Sequence, residues 1–269
     1  MPALEIVRPW PKPLPIEAVL FDFDGTLSLL REGWPLVMMP MMVEELQRTP
    51  TQESEADLRR LVEEFVMRLN GRQTIYQMLH LVEEIKQRGG QPLEALQYKH
   101  EYQSRLLAKI AGRRDALAQG TASAEDWTVP GSHALLTALQ ARGKRLYLAS
   151  GTDEQFVREE ADLLQLTAFF GEHIYGARDD YWNFSKAKII QKMLIDHRLQ
   201  GEQLLGFGDG FVEIEEIKRI GGLAIGVASD EVHRGQVNEW KRERLLRAGA
   251  DAIIPDYRDA PKLVEALIG

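Results

Sequence analysis

The sequence predicts an α/β protein with an open parallel sheet and an all-helical insert. From residue 130 onward, short apolar runs alternate with amphipathic helical patterns. Between about residues 29 and 126 the patterns are helical, with little strand signal. Strands that alternate with helices form parallel sheets through right-handed crossovers. The apolar run at 16–21 predicts the first strand, because a strand covered on both faces is continuously apolar.

The elements follow from local residue patterns. Prolines make the first 15 residues extended or polyproline-like. In the insert, apolar residues at helical spacing predict helices at 53–69 and 74–88, and a third begins near Pro92 and runs toward residue 110. The same reasoning predicts later helices at 132–141, 153–164, 185–197, 212–220 and 260–268, and strands at 145–149, 173–175, 204–207, 223–227 and 252–254.

Composition excludes several classes of function. The chain has 269 residues and no cysteine, which excludes disulfides, thiolate catalysis and cysteine-based metal sites. Its net charge of −8 weakens the case for nucleic-acid or anionic-membrane binding, which needs clustered basic residues. Glu5 and Arg8 stand where a signal peptide needs an apolar region. No apolar run reaches the roughly 20 residues of a membrane span. We therefore expect a cytoplasmic protein.

The end of the first strand carries the strongest chemical motif, Asp22-Phe23-Asp24-Gly25-Thr26. Two carboxylates two residues apart point to the same side, and like charges that close need a cation or a shared proton. Oxygen ligands suit Mg²⁺, which commonly bridges to phosphate. Gly25 permits a tight turn and close approach of a ligand. An Asx-type turn explains Asp-x-Asp alone, whereas the complete unit favours a functional site.

A second strand end offers groups that bind anions. Ser150 supplies a hydroxyl after the strand at 145–149. Gly151 and Thr152 supply backbone N–H groups at the predicted start of a helix, where anions bind readily. An ordinary N-cap explains the same residues when they are considered alone.

Lys186 stands at the start of the helix predicted at 185–197. A cation there opposes the helix dipole, so it calls for a reason such as neutralising a phosphate and a neighbouring carboxylate. The ordinary alternative is a solvated surface lysine, and Lys188 is a nearby competitor for the role.

The strand at 204–207 ends in a further acidic motif that contains Asp209, with Glu213 one helical turn later. Helix capping and a first turn rich in acids are the structural alternative. Parallel strands deliver their carboxyl ends to one edge of a sheet, so all these groups are expected together. A cation site, a carboxylate nucleophile, a hydroxyl and a lysine describe phosphoryl transfer through a covalent aspartyl intermediate.

On these residues the chain resembles the phosphatase-type branch of the haloacid dehalogenase (HAD) superfamily, similar to phosphoglycolate phosphatase and β-phosphoglucomutase. The resemblance covers residues 16–26 and about 127–269 and implies a Rossmann-like core. It implies that Asp22 is the nucleophile and Asp24 the general acid/base. Ser150 and Lys186 would hold the phosphoryl group, while Gly25, Thr26, Gly151 and Thr152 would help to bind substrate.

The resemblance also implies the metal ligands. Asp209 would bind Mg²⁺ with Asp22 and the backbone carbonyl of Asp24, and Glu213 matches the last acidic position, which is often Asp in relatives. Asp24 favours a phosphatase or mutase over a dehalogenase, because an alkoxide leaving group needs a proton and a halide does not. The Lys-Thr-Gly-Thr sequence of the P-type ATPase branch is missing from the chain.

The motifs predict a discontinuous core, 1–27 with 127–269, and a helical cap domain at 28–126. In relatives such a cap closes over the site and selects the substrate, so hinges are expected near 27–33 and 126–131. Arg72, which follows Asn70-Gly71, is a candidate to bind a second anionic group of the substrate, and a surface or packing role is the structural alternative for each cap residue taken alone. The candidate specificity residues are Arg31, Trp34, Arg72 and Tyr76.

Three functions remain open at this stage. The first is an Mg²⁺-dependent phosphatase acting on a small phosphorylated metabolite. The second is a phosphomutase of the β-phosphoglucomutase type, whose cap would need further phosphate-binding basic residues. The third is a non-catalytic binding protein that keeps the fold. Neither a nucleic-acid nor a membrane partner is expected, and the sequence leaves the oligomeric state open.

Overall fold

The computed structural model of the protein describes residues 4–11, 13–183 and 185–269. The chain forms two compact units, one made of the residues up to Leu30 with Arg113–Gly269, the other of Arg31–Gly112. The second boundary lies inside one helix, Ala95–Ala118, so no loop marks it. The domain limits that the motifs suggest, 27/28 and 126/127, stay a prediction.

The larger unit is built on a seven-stranded sheet with the order β1-β7-β6-β5-β2-β3-β4. Six strands are parallel, and only β1 is antiparallel to its neighbour β7 within the described residues. The predicted α/β class with an open, mostly parallel sheet is therefore confirmed. The strands are β1 Glu5–Ile6, β2 Ala18–Phe21, β3 Arg145–Asp153, β4 Ile174–Ala177, β5 Leu204–Gly208, β6 Leu223–Val227 and β7 Ala252–Ile254.

Helices cover the sheet and form the smaller unit. Leu20 and Tyr147 of the sheet share a buried apolar cluster with Ile190, Ile217 and Leu245 of three helices. The helices are α1 Pro35–Gln47, α2 Glu55–Leu69, α3 Thr74–Gln87, α4 Ala95–Ala118, α5 Ser132–Ala141, α6 Glu154–Leu163, α7 Thr167–Phe170, α8 Lys186–His197, α9 Phe211–Arg219, α10 Glu239–Ala248 and α11 Ala260–Ile268. No helix among the described residues is long and apolar enough to cross a membrane.

Strand β2 lies between β3 and β5, and this position determines where the candidate site lies at the carboxyl ends of the strands. Phe21 pairs in register with Leu148 of β3 and with Phe207 of β5. Its ring stacks on that of Phe207, with centroids 4.9 Å apart. Because every residue of β2 is buried, its unbroken apolar run is explained. The residues that follow β2 therefore emerge between the ends of two neighbouring strands.

The sequence patterns missed one strand and two α-helices of the larger unit, namely β1, α7 and α10. Residues expected to be only extended include β1, which adds an antiparallel edge strand. Another is α10, whose ten residues include six charged ones and few buried side chains. A helix of this composition has a weak apolar stripe, so periodicity alone does not reveal it. Its start is nevertheless capped, because the Asn238 side chain accepts a hydrogen bond from the Lys241 amide.

In the smaller unit, α1 packs against α2 and α3. Met38, Met41 and Met42 of α1 are buried, where flexible methionine side chains fill irregular gaps in the core. Pro35 begins α1, where its missing N–H is tolerated. The predicted helices at 53–69 and 74–88 correspond to α2 and α3.

Candidate active site

A tight turn after β2 holds Asp22 and Asp24. The amides of Thr26, Leu27 and Ser28 all donate to the carbonyl oxygen of Phe23. Asp22 is 7% exposed, and Asp24 is half-buried. The backbone of the turn therefore fixes both carboxylates at the carboxyl end of the central strand.

Lys186 is the first residue of α8, and its side chain is 6% exposed. Its Nζ donates to Asp22 Oδ1 at 2.7 Å and forms a close ion pair with Glu213 of α9. Burial raises the pKa of the Asp22 carboxyl, Lys186 opposes that rise, and the charge of Asp209 adds to it. The two predicted residues, Lys186 and Glu213, are thus brought together with Asp22, and Lys188 instead donates to the Trp182 carbonyl oxygen.

The hydroxyls at the end of β3 face Asp24. Thr152 Oγ1 donates to Asp24 Oδ2 at 2.8 Å, and Ser150 Oγ donates to the same oxygen at 3.4 Å. The Thr152 amide donates to Ser150 Oγ at 3.0 Å. Ser150 and Thr152 are therefore linked to each other and to Asp24, which orients that carboxylate.

The strand here is longer than the predicted 145–149, whereas the helix begins within one residue of its predicted start. Strand β3 continues to Asp153, which pairs with Ala177 of β4, and α6 begins one residue later. A side chain at Gly176 would lie within 2.7 Å of the Thr152 carbonyl oxygen, so only glycine permits this close pairing. Gly151 and Thr152 accordingly lie in the last part of the strand, directly before the Asp153 N-cap of α6. Their role toward a substrate stays a prediction.

Gly25 and Thr26 contact Asp209, the acidic residue that follows β5. The Asp209 amide donates to Thr26 Oγ1 at 2.9 Å. A Cβ atom at Gly25 would lie 2.2 Å from Asp209 Oδ2, and Gly25 has φ of +75°. The turn after β2 and the end of β5 thus fit together through a glycine. A role of Gly25 and Thr26 in binding substrate stays a prediction.

Sequence reasoning missed Lys241, the third residue of α10. Its Nζ lies 2.9 Å from Asp209 Oδ2 and 2.8 Å from Glu231 Oε1. Burial alone lowers the pKa of Lys241, but the charges of Asp209 and Glu231 outweigh it and raise that pKa above its usual value. The signal that pointed to Lys186, a cation in the first turn of a helix, applies equally to Lys241. It was hidden because α10 itself was not predicted.

The donors at this edge fit a divalent cation. Asp22 and Asp209 follow neighbouring strands, and Asp209 is close enough to raise the pKa of Asp22. Both supply oxygen, the ligand type that Mg²⁺ prefers, and Mg²⁺ commonly keeps several waters beside one or two carboxylates. No group of three or more acidic or histidine side chains in the described part of the chain is placed to hold a metal. The side chains therefore offer two carboxylates to a metal, and the backbone carbonyl of Asp24 as a third ligand stays a prediction.

The candidate specificity residues lie in the smaller unit. Arg31 is buried, and Trp34 immediately precedes α1. The Arg72 guanidinium lies 5.9 Å from the centre of the Tyr76 ring, a cation–π distance. Arg72 and Tyr76 thus lie together at the beginning of α3, and their role in substrate selection stays a prediction.

A sequence profile of the haloacid dehalogenase-like hydrolases matches residues 16–221. No curated protein matches the chain. The matched range begins before β2 and extends beyond α9, so it includes the segments that carry Asp22, Ser150, Lys186 and Asp209.

Solved structures share the fold over nearly the whole chain. A predicted phosphoglycolate phosphatase of Haemophilus somnus 129pt is 19% identical, with a TM-score of 0.60 over 93% of this chain and 98% of that one. A β-phosphoglucomutase of Clostridium difficile is 14% identical, with a TM-score of 0.62 over 93% and 96%. A HAD family hydrolase of Deinococcus radiodurans R1 with bound phosphate and sodium is 18% identical, with a TM-score of 0.54 over 94% and 97%. At these identities the likeness shows the fold.

Proposed function

Since the chain belongs to the family of haloacid dehalogenase-like hydrolases, we propose that it is an Mg²⁺-dependent phosphatase that hydrolyses a small phosphomonoester through a covalent phosphoryl group on Asp22. The observation that carries the proposal is the buried contact between Lys186 Nζ and Asp22 Oδ1, 2.7 Å long. A carboxylate held beside an ammonium at the end of a central strand is placed to accept a phosphoryl group while the ammonium binds its oxygens. The bound phosphate of the Deinococcus radiodurans hydrolase supports the same ligand class.

In the first step, a carboxylate oxygen of Asp22 forms a bond to phosphorus, and the bond between phosphorus and the ester oxygen breaks. Asp24 donates its proton to the leaving alkoxide. Thr152 and Ser150 hold the Asp24 carboxyl through Oδ2 and so orient it for this transfer. The product alcohol departs and leaves phosphorylated Asp22.

In the second step, Asp24 is a carboxylate and takes a proton from water, whose oxygen attacks phosphorus. The bond between phosphorus and Asp22 breaks, and inorganic phosphate is released. Lys186 stabilises the negative charge on the phosphoryl oxygens in both steps, and it opposes the rise in the pKa of Asp22 that burial causes. Glu213 keeps Lys186 in place through their buried ion pair.

A bound Mg²⁺, held by Asp22, Asp209 and the backbone carbonyl of Asp24, would neutralise charge on the phosphoryl oxygens. Thr26 positions Asp209 for this role through the Asp209 amide. Gly25 leaves room for the Asp209 carboxylate, because any side chain there would overlap it. The substrate is a phosphorylated metabolite selected by the helical unit, in which Arg72 is the candidate for a second anionic group.

A metabolite-phosphate panel tests the proposal. Purified protein with Mg²⁺ should release inorganic phosphate from p-nitrophenyl phosphate or from members of the panel, and EDTA should stop the release until Mg²⁺ is restored. Asp22→Asn should abolish turnover with an unchanged circular dichroism spectrum. Asp196→Asn, a change at an exposed carboxylate on α8, should leave turnover unchanged. A wild type that releases no phosphate from any member, or an Asp22→Asn variant that retains turnover, would contradict the proposal.

The likeness in fold to a β-phosphoglucomutase makes a phosphomutase the second candidate, and the same panel separates the two. A mutase converts a hexose 1-phosphate into the 6-phosphate without net release of phosphate. A protein that binds panel members without converting any of them is a binding protein.

A further inference from the structure

Lys241 is a buried cation to which the proposed reaction assigns no role. Its Nζ contacts Asp209 at 2.9 Å and Glu231 at 2.8 Å, and it lies 3.3 Å from Ser229 Oγ. The Ser229 hydroxyl donates to the Gly25 carbonyl oxygen at 2.6 Å. Lys241 therefore sits directly behind the turn that carries Asp22 and Asp24.

Local structure does not account for an ammonium at this position. As the third residue of α10, Lys241 stands at the end of the helix where its dipole disfavours positive charge. Its side chain is only 8% exposed, so little of its hydration is retained. The carboxylates of Asp209 and Glu231 offset both the unfavourable interaction with the helix dipole and the loss of hydration.

We propose that Lys241 is a resident cation that competes with the divalent metal for Asp209, so that the free protein binds Mg²⁺ weakly. The inference rests on the proposed function, which gives Asp209 to the metal. Two cations beside one carboxylate repel each other, and the double charge of the metal doubles the repulsion. Glu231 and Ser229 hold the ammonium, so it does not leave when a metal arrives.

Lys241 has the opposite effect when no metal is bound. Asp22 is buried, Asp209 is half-buried, and the two like charges are close, so each destabilises the other. The ammonium offsets the charge of Asp209 and stabilises the folded, metal-free protein. One residue thereby replaces part of the metal's electrostatic contribution to stability while it lowers the affinity for the metal.

Titration of the free protein with Mn²⁺ tests this inference. Free Mn²⁺ measured by electron paramagnetic resonance gives the dissociation constant without any substrate. Lys241→Met is expected to lower the Kd by about tenfold or more, because a full like charge is removed. The matched control is Lys218→Met, which breaks a Lys–Asp pair with Asp251 away from the site and should leave the Kd unchanged.

Two further variants distinguish the effect of the charge of Lys241 from that of its packing. They also keep the test usable if Lys241→Met does not fold. Lys241→Gln retains a polar group toward Ser229 and Glu231, and it should also tighten Mn²⁺ binding. Lys241→Arg keeps the charge and should bind Mn²⁺ like the wild type. An unchanged or weaker affinity in whichever neutral variant folds overturns the proposal, as does an arginine variant that binds as tightly as the neutral one.

Failure of this inference and failure of the proposed function are distinguishable. Mn²⁺ binding is measured on the resting protein, whereas the phosphatase is tested by release of phosphate at saturating Mg²⁺. An active phosphatase in which neutral replacement of Lys241 leaves the Kd unchanged refutes the role of Lys241 alone. A protein without phosphatase activity whose neutral variants bind Mn²⁺ more tightly refutes the phosphatase alone.

Discussion

Two lysines at one edge of the sheet occupy the same chemical arrangement. Lys186 begins α8 and lies between Asp22 and Glu213, while Lys241 lies in the first turn of α10 between Asp209 and Glu231. Both are buried cations at a helix end that disfavours them. They differ in the carboxylate they touch, since Lys186 contacts the proposed nucleophile, which is also a proposed metal ligand, whereas Lys241 contacts a carboxylate proposed to bind only the metal. The comparison teaches that the chemical role of a buried ammonium is set by its partner.

The largest expected difference is between the two lysines in catalysis. Lys186→Met should lower kcat/KM by about 10²–10³-fold, because a preorganised charge on the phosphoryl oxygens is lost. Lys241→Met at saturating Mg²⁺ should lower it by far less. Steady-state phosphate release from the best panel substrate measures both.

The exposed Lys188 is the matched control for Lys186, since it lies two residues along the same helix. Lys188→Met should retain the activity of the wild type. Equal losses of activity in the Lys186 and Lys188 variants would show that Lys186 has no specific catalytic role. The contrast between Lys186 and Lys241 would then fail.

A change at Gly25 tests the turn after β2, which packs closely against Asp209 and Lys241. Gly25→Ala should lower the free energy of unfolding by about 1–3 kcal/mol and reduce activity, because the new Cβ overlaps Asp209 Oδ2. Gly120→Ala is the control, since Gly120 has φ of +70° with no atom within 4 Å of the added Cβ. Urea unfolding should show the smaller loss for Gly120→Ala, and activity should be retained. Equal losses of stability and activity in the two variants would show that the overlap with Asp209 is not the cause of the loss at Gly25.

A smaller loss of activity is expected when a hydroxyl that donates to Asp24 is removed. Thr152→Val removes the 2.8 Å hydrogen bond to Asp24 Oδ2 and should lower kcat by about tenfold, or ~1.4 kcal/mol, because the proton donor is less well oriented. Thr152→Ser keeps a hydroxyl and should restore most of the rate. A serine variant as slow as the valine variant would assign the loss to packing.

The smallest effect concerns the stability of the metal-free protein. The folded pKa of Asp22 lies above its usual value of 3.8, so the ionised carboxylate destabilises the folded state at pH above that folded pKa. In EDTA at neutral pH, Asp22→Asn should therefore raise Tm, by roughly 2–4 °C for each kcal/mol gained. The gain in Tm should shrink as the pH falls through the folded pKa and vanish below 3.8, where Asp22 is protonated in the folded and the unfolded state. A gain that is independent of pH would show that the charge of Asp22 is not its cause.

The sequence predicts the Lys186 side of the site better than the Lys241 side for a physical reason. Lys186 begins a helix with an apolar stripe that periodicity detects, whereas Lys241 lies in a mostly charged helix. Continuous apolar runs such as that of β2 indicate buried strands, and the sequence therefore predicts where these strands end. The sequence does not predict the extension of β3 to Asp153, because that extension depends on the close approach of Gly176 in another strand. Pairings that depend on contacts distant in sequence leave no local pattern.

Detection of the phosphorylated enzyme tests the central claim most directly. The reaction with the best substrate is stopped in acid during turnover, the protein is digested, and the peptides are examined by mass spectrometry. We predict the added mass of one phosphoryl group on the peptide with Asp22, sensitive to hydroxylamine as an acyl phosphate is, and its loss in Asp22→Asn. A phosphoryl group on a different residue of the active wild type would contradict the assignment of Asp22 as nucleophile.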